Sequence, residues 1–364
     1  MTSHSLHIAA ITTTESASSV AGSGIALARW RQALIARGQR VDLITSQEQA
    51  PAGQPAAAWY RGASAAFSSE LIRRWTAQRP DVVHVELASN VGLAALEAAA
   101  KLGLPTTSYF HHLHLYAAPG SEPRVIGMLA NFHRRCTTTV AEQDASARLL
   151  TAMGVAEVTV IGRGVDSEDF HPRWRDPSLR AAWGAGPDDP VLLFVARVIP
   201  TKDPPGFAAA CQLARERNPA VRAVVVGEGP ELAALREALP WAHYAGTLVG
   251  EAMRRAYASA DIYVQASPAE PWGIAVMEAA SSGLAVAARP GGAVNEVLVP
   301  AGACVLPVPR DRTALVEAVA ALACDPLRRR ELGERARASV QSRSWDSVAA
   351  SWEALWRELL ARRR

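Results

Sequence analysis

The stretch Val191-Leu-Leu-Phe-Val-Ala-Arg-Val-Ile-Pro-Thr-Lys-Asp-Pro-Pro205 decides the fold. Six consecutive apolar residues followed by a charged one read as a strand buried on both faces, Val191 to Ala196, that delivers Arg197 at its carboxyl end. Asp203-Pro204-Pro205 is a helix start: a capping carboxylate with proline in the first turn. A buried strand, a short loop carrying Arg197 and Lys202, and a helix to Arg217 make the opening of a parallel α/β unit.

Moving outward, the same alternation repeats on both sides. Downstream, Val221–Val226, Asp261–Gln265 and Leu284–Ala288 read as strands, with helices at Pro205–Arg217, Pro230–Ala238, Glu251–Ala260 and Gly273–Ser281. Upstream, strands are expected at Leu6–Thr12, Val41–Thr45, Val82–Val85, Thr106–Phe110, Thr137–Val140 and Val158–Ile161. Leu27, Trp30 and Leu34 recur at helical spacing after Gly22-Ser23-Gly24, and Val91 to Leu102 forms a helix stopped by Gly103. Phe170 to Pro190 is polar and rich in proline, and reads as a connection. The expected architecture is α/β, with two Rossmann-like domains facing across a cleft: residues 1–168, residues 169–340, and a helix at 341–364 packing back on the first domain. Parallel sheets bind ligands outside the carboxyl ends of their strands, which is where candidate residues are sought.

Composition narrows the function classes. Of 364 residues 49% are hydrophobic, enough for two cores, and 38 Lys and Arg against 35 Asp and Glu leave a net charge of +3. That balance argues against nucleic acid as a partner. The four cysteines form no Cys-x-x-Cys pair and read as reduced thiols. No apolar window reaches the length of a bilayer span and the first residues carry no signal-peptide pattern. A cytoplasmic location is expected, with peripheral contact at the inner face of a membrane as the second reading. Two features bear on that reading. Trp345, Trp352 and Trp356 form a stripe that either packs on the protein or lies on a lipid surface. Arg73-Arg74 and Arg134-Arg135 are either solvated charge or an acceptor face near anionic lipid.

Four groups could carry chemistry. Gly22-Ser23-Gly24 at a helix start allows close approach of a phosphate. Arg197 and Lys202, beside the helix opened by Asp203, offer two cations and a helix dipole to a diphosphate. Glu270-Pro-Trp-Gly-Ile-Ala-Val-Met-Glu278 places one carboxylate in a loop and another in the following helix. The amides of Gly273, Ile274 and Ala275 lie between them, so a sugar nucleotide can be held from two ends. His111-His112-Leu113-His114 follows a strand. With no Cys, Asp or Glu nearby to complete a shell, a metal reading is set aside for a hydrogen-bonding or electrostatic role of one histidine.

With these residues in place, the second half resembles glycosyltransferase family 4. The pattern runs through Arg197…Lys202, Gly227-Glu-Gly-Pro230, Ala245-Gly246, Ala260-Asp261, Ser267…Glu270-x7-Glu278, Ser282-Gly283 and Gly291-Gly292…Glu296. Ile161-Gly-Arg-Gly-Val-Asp166 with Phe170-His-Pro172 is similar to a subset that includes bacterial mannosyl- and sulfoquinovosyl-type transferases. The resemblance implies a retaining hexosyltransferase of GT-B fold that uses a nucleotide-diphosphate sugar. Arg197 and Lys202 would neutralise the departing diphosphate, Glu270 would bind donor-sugar hydroxyls, and Glu278 the ribose. Gly22, Gly24 and Gly227 would face the donor, and His111 would stand beside the transferred sugar. No cofactor and no divalent metal is expected. A UDP-sugar is the first expectation for the donor and GDP-mannose the second; the acceptor is a lipid, a glycan or a small molecule. His112, Ala196 and Ser281 depart from the family's usual residues.

Three rivals remain at this point. A Rossmann oxidoreductase needs a third glycine where Leu27 stands and an acid later than Asp42. A nucleotide-sugar epimerase and a non-catalytic nucleotide-sugar-binding module share the two-domain shape.

Overall fold

In the computed structural model, residues 4–12, 22–45, 64–111, 122–268, 270, 272–305 and 311–363 are described. They form two compact units, residues 1–164 with 345–364, and residues 165–344. These boundaries stand against the 168/169 and 340/341 read from the sequence.

In the first unit the order is β1 (His7–Thr12), α1 (Gly22–Ala36), β2 (Arg40–Thr45), α2 (Ser64–Ala77), β3 (Val82–Val85), α3 (Asn90–Lys101), β4 (Thr106–Phe110), α4 (Glu122–His133), β5 (Thr138–Ala141), α5 (Asp144–Ala152) and β6 (Val158–Val160). The strands pair in parallel in the order β2-β1-β3-β4-β5-β6. In β3, β4 and β5 every residue is buried, as helices on both faces demand.

The second unit runs α6 (Pro177–Ala182), β7 (Val191–Val195), α7 (Pro204–Arg217), β8 (Arg222–Val226), α8 (Leu232–Ala238), β9 (His243–Gly246), α9 (Gly250–Ser259), β10 (Ile262–Gln265), α10 (Ile274–Ser281), β11 (Ala285–Ala288), β12 (Cys304–Val305), α11 (Arg312–Cys324) and α12 (Pro326–Val340). Its sheet is also parallel, in the order β12-β11-β10-β7-β8-β9. Strand order reverses between β7 and β10, the switch point at which the ends of adjacent strands diverge and leave a crevice. The stretch 170–190, read as a connection, belongs to this unit. Ser281 Oγ donates to Phe170 O, and Arg180 ties Ser259 O and Asp261 to the loop at 186–189.

The helix Trp345–Ala361 (α13) returns to the first unit. Trp352 and Trp356 are buried in a core with Trp30, Leu34, Tyr109 and Val140. The tryptophan stripe therefore covers protein, as i, i+4 spacing on one helix face allows. Of the basic pairs, Arg73 bonds Glu70, Arg74 lies 3.9 Å from Asp42, and Arg134 Nε donates to Ala130 O, while Arg135 is exposed. All four cysteines are free, and among the described residues no helix is long and apolar enough to cross a membrane.

Candidate active site

In the second unit the carboxyl edge of the sheet collects the residues singled out by sequence. Arg197 follows β7 by one residue and its side chain is exposed. The chain then makes a 3-10 turn, Pro200–Lys202, which carries Lys202 toward the loop after β10. There Lys202 Nζ lies 2.5 Å from Glu270 Oε2, and the same oxygen accepts from Gln265 Nε2 at 2.7 Å. Ser267 Oγ donates to Thr201 O at 2.9 Å, so the two loops on either side of the switch point are stitched together. Tyr263 extends the link: its hydroxyl donates to Gln265 Oε1.

Gly273 caps α10 in the left-handed region, φ 89°, a backbone state that glycine adopts without strain. No side chain caps this helix. The first-turn amides of Ile274 and Ala275 are therefore not taken up by a side-chain cap, the condition under which a helix start can receive an anion. Glu278 lies in the next turn. Burial, and then the Glu278 carboxylate, hold the Tyr257 hydroxyl well above its ordinary pKa. Burial also raises Tyr263, followed by Glu270 and Glu278, which places both carboxylates around one tyrosine. Gly227 ends β8 at φ 129°, where a Cβ would meet Ala196 O at 2.0 Å. Only glycine lets this strand end lie against the backbone that leads into Arg197.

One expectation is corrected. The start of α7 was read as part of an anion clamp, but Asp203 already fills it, accepting from Gly206 N. That carboxylate is in turn neutralised by Arg312, at 2.6 and 3.0 Å, with Arg289 at 3.6 Å. The capping carboxylate already occupies a free amide of this helix start and sets a negative charge there. The start of α10 carries no side-chain cap.

In the first unit Gly22 and Gly24 lie within the first turn of α1. His112 and His114 fall outside the described residues. His111 directly follows β4 and is 7% exposed. It is surrounded by residues that sequence reasoning missed as a group. His111 Nε2 lies 3.0 Å from Glu86 O and 3.4 Å from Glu86 Oε1. Its Nδ1 lies 3.0 Å from Arg163 Nη2 and 3.5 Å from Glu142 Oε1. Arg163 donates twice to Glu142 Oε1, at 3.0 and 2.9 Å, and lies over the Tyr109 ring at 4.8 Å. A signal was present: Glu86, His111 and Glu142 each directly follow a strand (β3, β4, β5), and Arg163 comes three residues after β6. Because these strands are neighbours in the sheet, the four side chains line up along one edge.

The two contacts at His111 Nδ1 ask for opposite states. Arg163 can only donate, so it needs a bare nitrogen, whereas Glu142 needs a proton there. Burial disfavours the charged ring, yet the Glu142 and Glu86 carboxylates outweigh it and push His111 up to about 9. Charge balance decides for that direction. With His111 protonated, two carboxylates face two cations; without it one buried negative charge is left over. Burial alone would raise Glu86 as well, but hydrogen bonds from His111 and His84 hold it well below the usual carboxylate range.

With this geometry in view, the comparisons are direct. Residues 20–169 match the family model described as Glycosyltransferase Family 4, and residues 176–339 that of Glycosyl transferases group 1. A GDP-mannose-dependent alpha-mannosyltransferase of Mycobacterium tuberculosis is 33% identical over 74% of this chain and 70% of its own. The chain belongs to the glycosyltransferases. This glycosyltransferase is also 32% identical to the corresponding protein of Mycolicibacterium smegmatis, over 78% of this chain and 75% of that one. A sucrose-phosphate synthase from Thermosynechococcus elongatus superposes with a TM-score of 0.82 at 19% identity, covering 98% of this chain and 99% of that one. The Anabaena protein HepE, in complex with UDP, gives 0.77 at 17% identity over 97% and 100%. Both likenesses establish the GT-B fold for the glycosyltransferase. As an enzyme it moves a sugar from a nucleotide sugar.

Proposed function

We propose that the chain transfers a hexose, mannose from GDP-mannose in the first place, to a hydroxyl of a lipid or glycan acceptor with retention of configuration. The observation that carries this reading is the switch-point edge of the second sheet, where Lys202, Glu270 and the uncapped start of α10 meet. Sequence alone leaned to a UDP-sugar. The names of the two mycobacterial relatives move GDP-mannose ahead of it.

In this proposal the diphosphate lies against the amides of Ile274 and Ala275, with Arg197 and Lys202 stabilising its charge as it leaves. Glu270 accepts from donor-sugar hydroxyls and Glu278 from the ribose. Gly227 shapes the edge beside Arg197, and Gly22, Gly24 and His111 keep the donor-binding roles that the family resemblance implies. The bond from the anomeric carbon to the leaving phosphate oxygen breaks as the acceptor oxygen bonds the same face. The acceptor's proton passes to the departing phosphate. No side chain is then needed as a base, and the two cations supply the charge neutralisation without a divalent metal.

Thermal shift against GDP-mannose and UDP-sugars tests the donor. Ligand at about a hundred times its dissociation constant adds about 2.7 kcal/mol to the native state. A shift with GDP-mannose alone supports the proposal, and a shift with UDP-glucose alone moves the donor to uridine. Proton NMR of the product's anomeric coupling tests retention, and unchanged turnover in EDTA tests the metal-free reading.

A further inference from the structure

We infer that Trp356, on the helix that returns to the first unit, is a positioning residue for Glu86 and His111, acting through Thr107 and His84. The chain of bonds has a direction. An indole N–H can only donate, and Trp356 Nε1 donates to Thr107 Oγ1 at 3.2 Å. The same hydroxyl lies 3.1 Å from His84 Nδ1. At the other end of the ring Nε2 faces the Glu86 carboxylate, which can only accept, so the proton sits on Nε2 and the Thr107 hydroxyl donates to the bare Nδ1. Its Nε2–H then reaches Glu86 Oε2 at 3.2 Å, while the backbone oxygen of Glu86 receives His111 Nε2–H at 3.0 Å.

Nothing along this path is open to water. Trp356, Thr107 and His84 are fully buried, and the His84 ring is enclosed by Trp352, Trp30 and Trp356 at centroid distances of 4.7, 5.2 and 6.4 Å. A buried polar group deprived of its partner has no substitute there. Without the Thr107 hydroxyl, His84 Nδ1 has no donor, and the ring is held by its Nε2–H bond to Glu86 alone. The ring can then tilt, Glu86 shifts with it, and His111 rests on Glu86. The residues of α13 thus do more than close a core: one indole hydrogen orients the hydroxyl that fixes a histidine ring in the neighbouring strand.

The inference rests on the reading that His111 belongs to the transfer site, and the experiment separates the two. Thr107→Val keeps shape and removes the hydroxyl, Thr107→Ser restores it, Trp356→Phe removes the indole hydrogen, and Leu359→Ala loosens the same helix without touching the path. Histidine-15N NMR reads the tautomers with no turnover required. GDP-mannose hydrolysis and transfer read kcat and KM. Thr107→Val and Trp356→Phe are expected to leave the proton on His84 Nε2, to shift the His84 Nδ1 resonance as its hydrogen bond is lost or weakened, and to lower kcat about tenfold while KM for donor changes less than about twofold. Thr107→Ser should behave as the unmodified chain, and Leu359→Ala should lower Tm alone. A His84 Nδ1 resonance unmoved by both variants overturns the relay. A resonance that shifts while kcat stays level overturns the positioning role. If the unmodified chain transfers from no sugar nucleotide, the transfer reading fails and the resonances still judge the relay.

Discussion

Lys202 and Glu270, 68 residues apart in sequence, meet at 2.5 Å across the strand-order reversal of the second sheet. The pair is three-quarters or more buried, at 22% and 12% side-chain exposure, so neither charge is fully screened by water. It holds in register the cation and the carboxylate to which the proposal assigns the leaving diphosphate and the donor sugar. Lys202→Ala is expected to lower kcat/KM about 10²- to 10³-fold, the scale for losing one preorganised charge at a leaving group. Stability should fall by about 1–3 kcal/mol, because the Glu270 carboxylate keeps its bond from Gln265 but loses its cation. Steady-state transfer kinetics beside a thermal melt checks both, and equal losses in the two would point to a structural pair instead.

Asp203, the next residue, is the only non-glycine with positive φ among the described residues, at 52°. It is held there by its bond to Gly206 N and by Arg312 and Arg289. Asp203→Ala keeps the left-handed strain and loses the cap and both ion pairs, an expected cost of about 3 kcal/mol. Asp203→Gly should cost less, because it relieves the backbone. Urea denaturation of the two variants gives the order, and an alanine variant as stable as the glycine one would refute the account.

His133 is buried with Nδ1 against Ser108 Oγ at 2.9 Å, and burial, with the charge on His111, lowers its pKa to about 3. A folded state that refuses this proton loses stability as pH falls below the unfolded value near 6.5. The expected loss is about 1.4 kcal/mol per pH unit, continuing toward pH 3. His133→Gln should flatten the decline of Tm between pH 6.5 and 4.5. A slope unchanged by the substitution would place the acid sensitivity elsewhere.

His111 acts in the opposite sense. Its folded pKa lies above the unfolded one, so its contribution is complete below pH 6.5 and is lost as pH rises through about 9. A histidine-selective NMR titration should therefore find one ring still protonated at pH 8. Arg163→Met, which removes a competing cation and leaves the two carboxylates, should raise that midpoint further.

How much of this was legible follows from how each signal is written. Buried parallel strands announce themselves as short apolar runs, and the capping chemistry of Asp203-Pro204 marks the start of α7 to within a residue. In the second unit the meeting of Lys202 with Glu270 was within reach of sequence because the two lie in the loops that follow β7 and β10. The cluster around His111 was not. Glu86, Glu142 and Arg163 follow their strands as plainly as Arg197 follows β7, but only the sheet order makes them neighbours. Sequence distance hides a partner 249 residues away, as with Trp356 and Thr107. The start of α7 shows the converse error: a good cap was read as an open anion site, when a cap is what closes one.

Residues 345–361 complete a core whose other members lie between residues 6 and 161. Everything from 165 to 344 is synthesised in between. A nascent chain can therefore finish its second unit while the first still exposes Trp30 and Tyr109 to solvent and chaperones. The order of emergence from the ribosome and the order of completion are reversed in this protein.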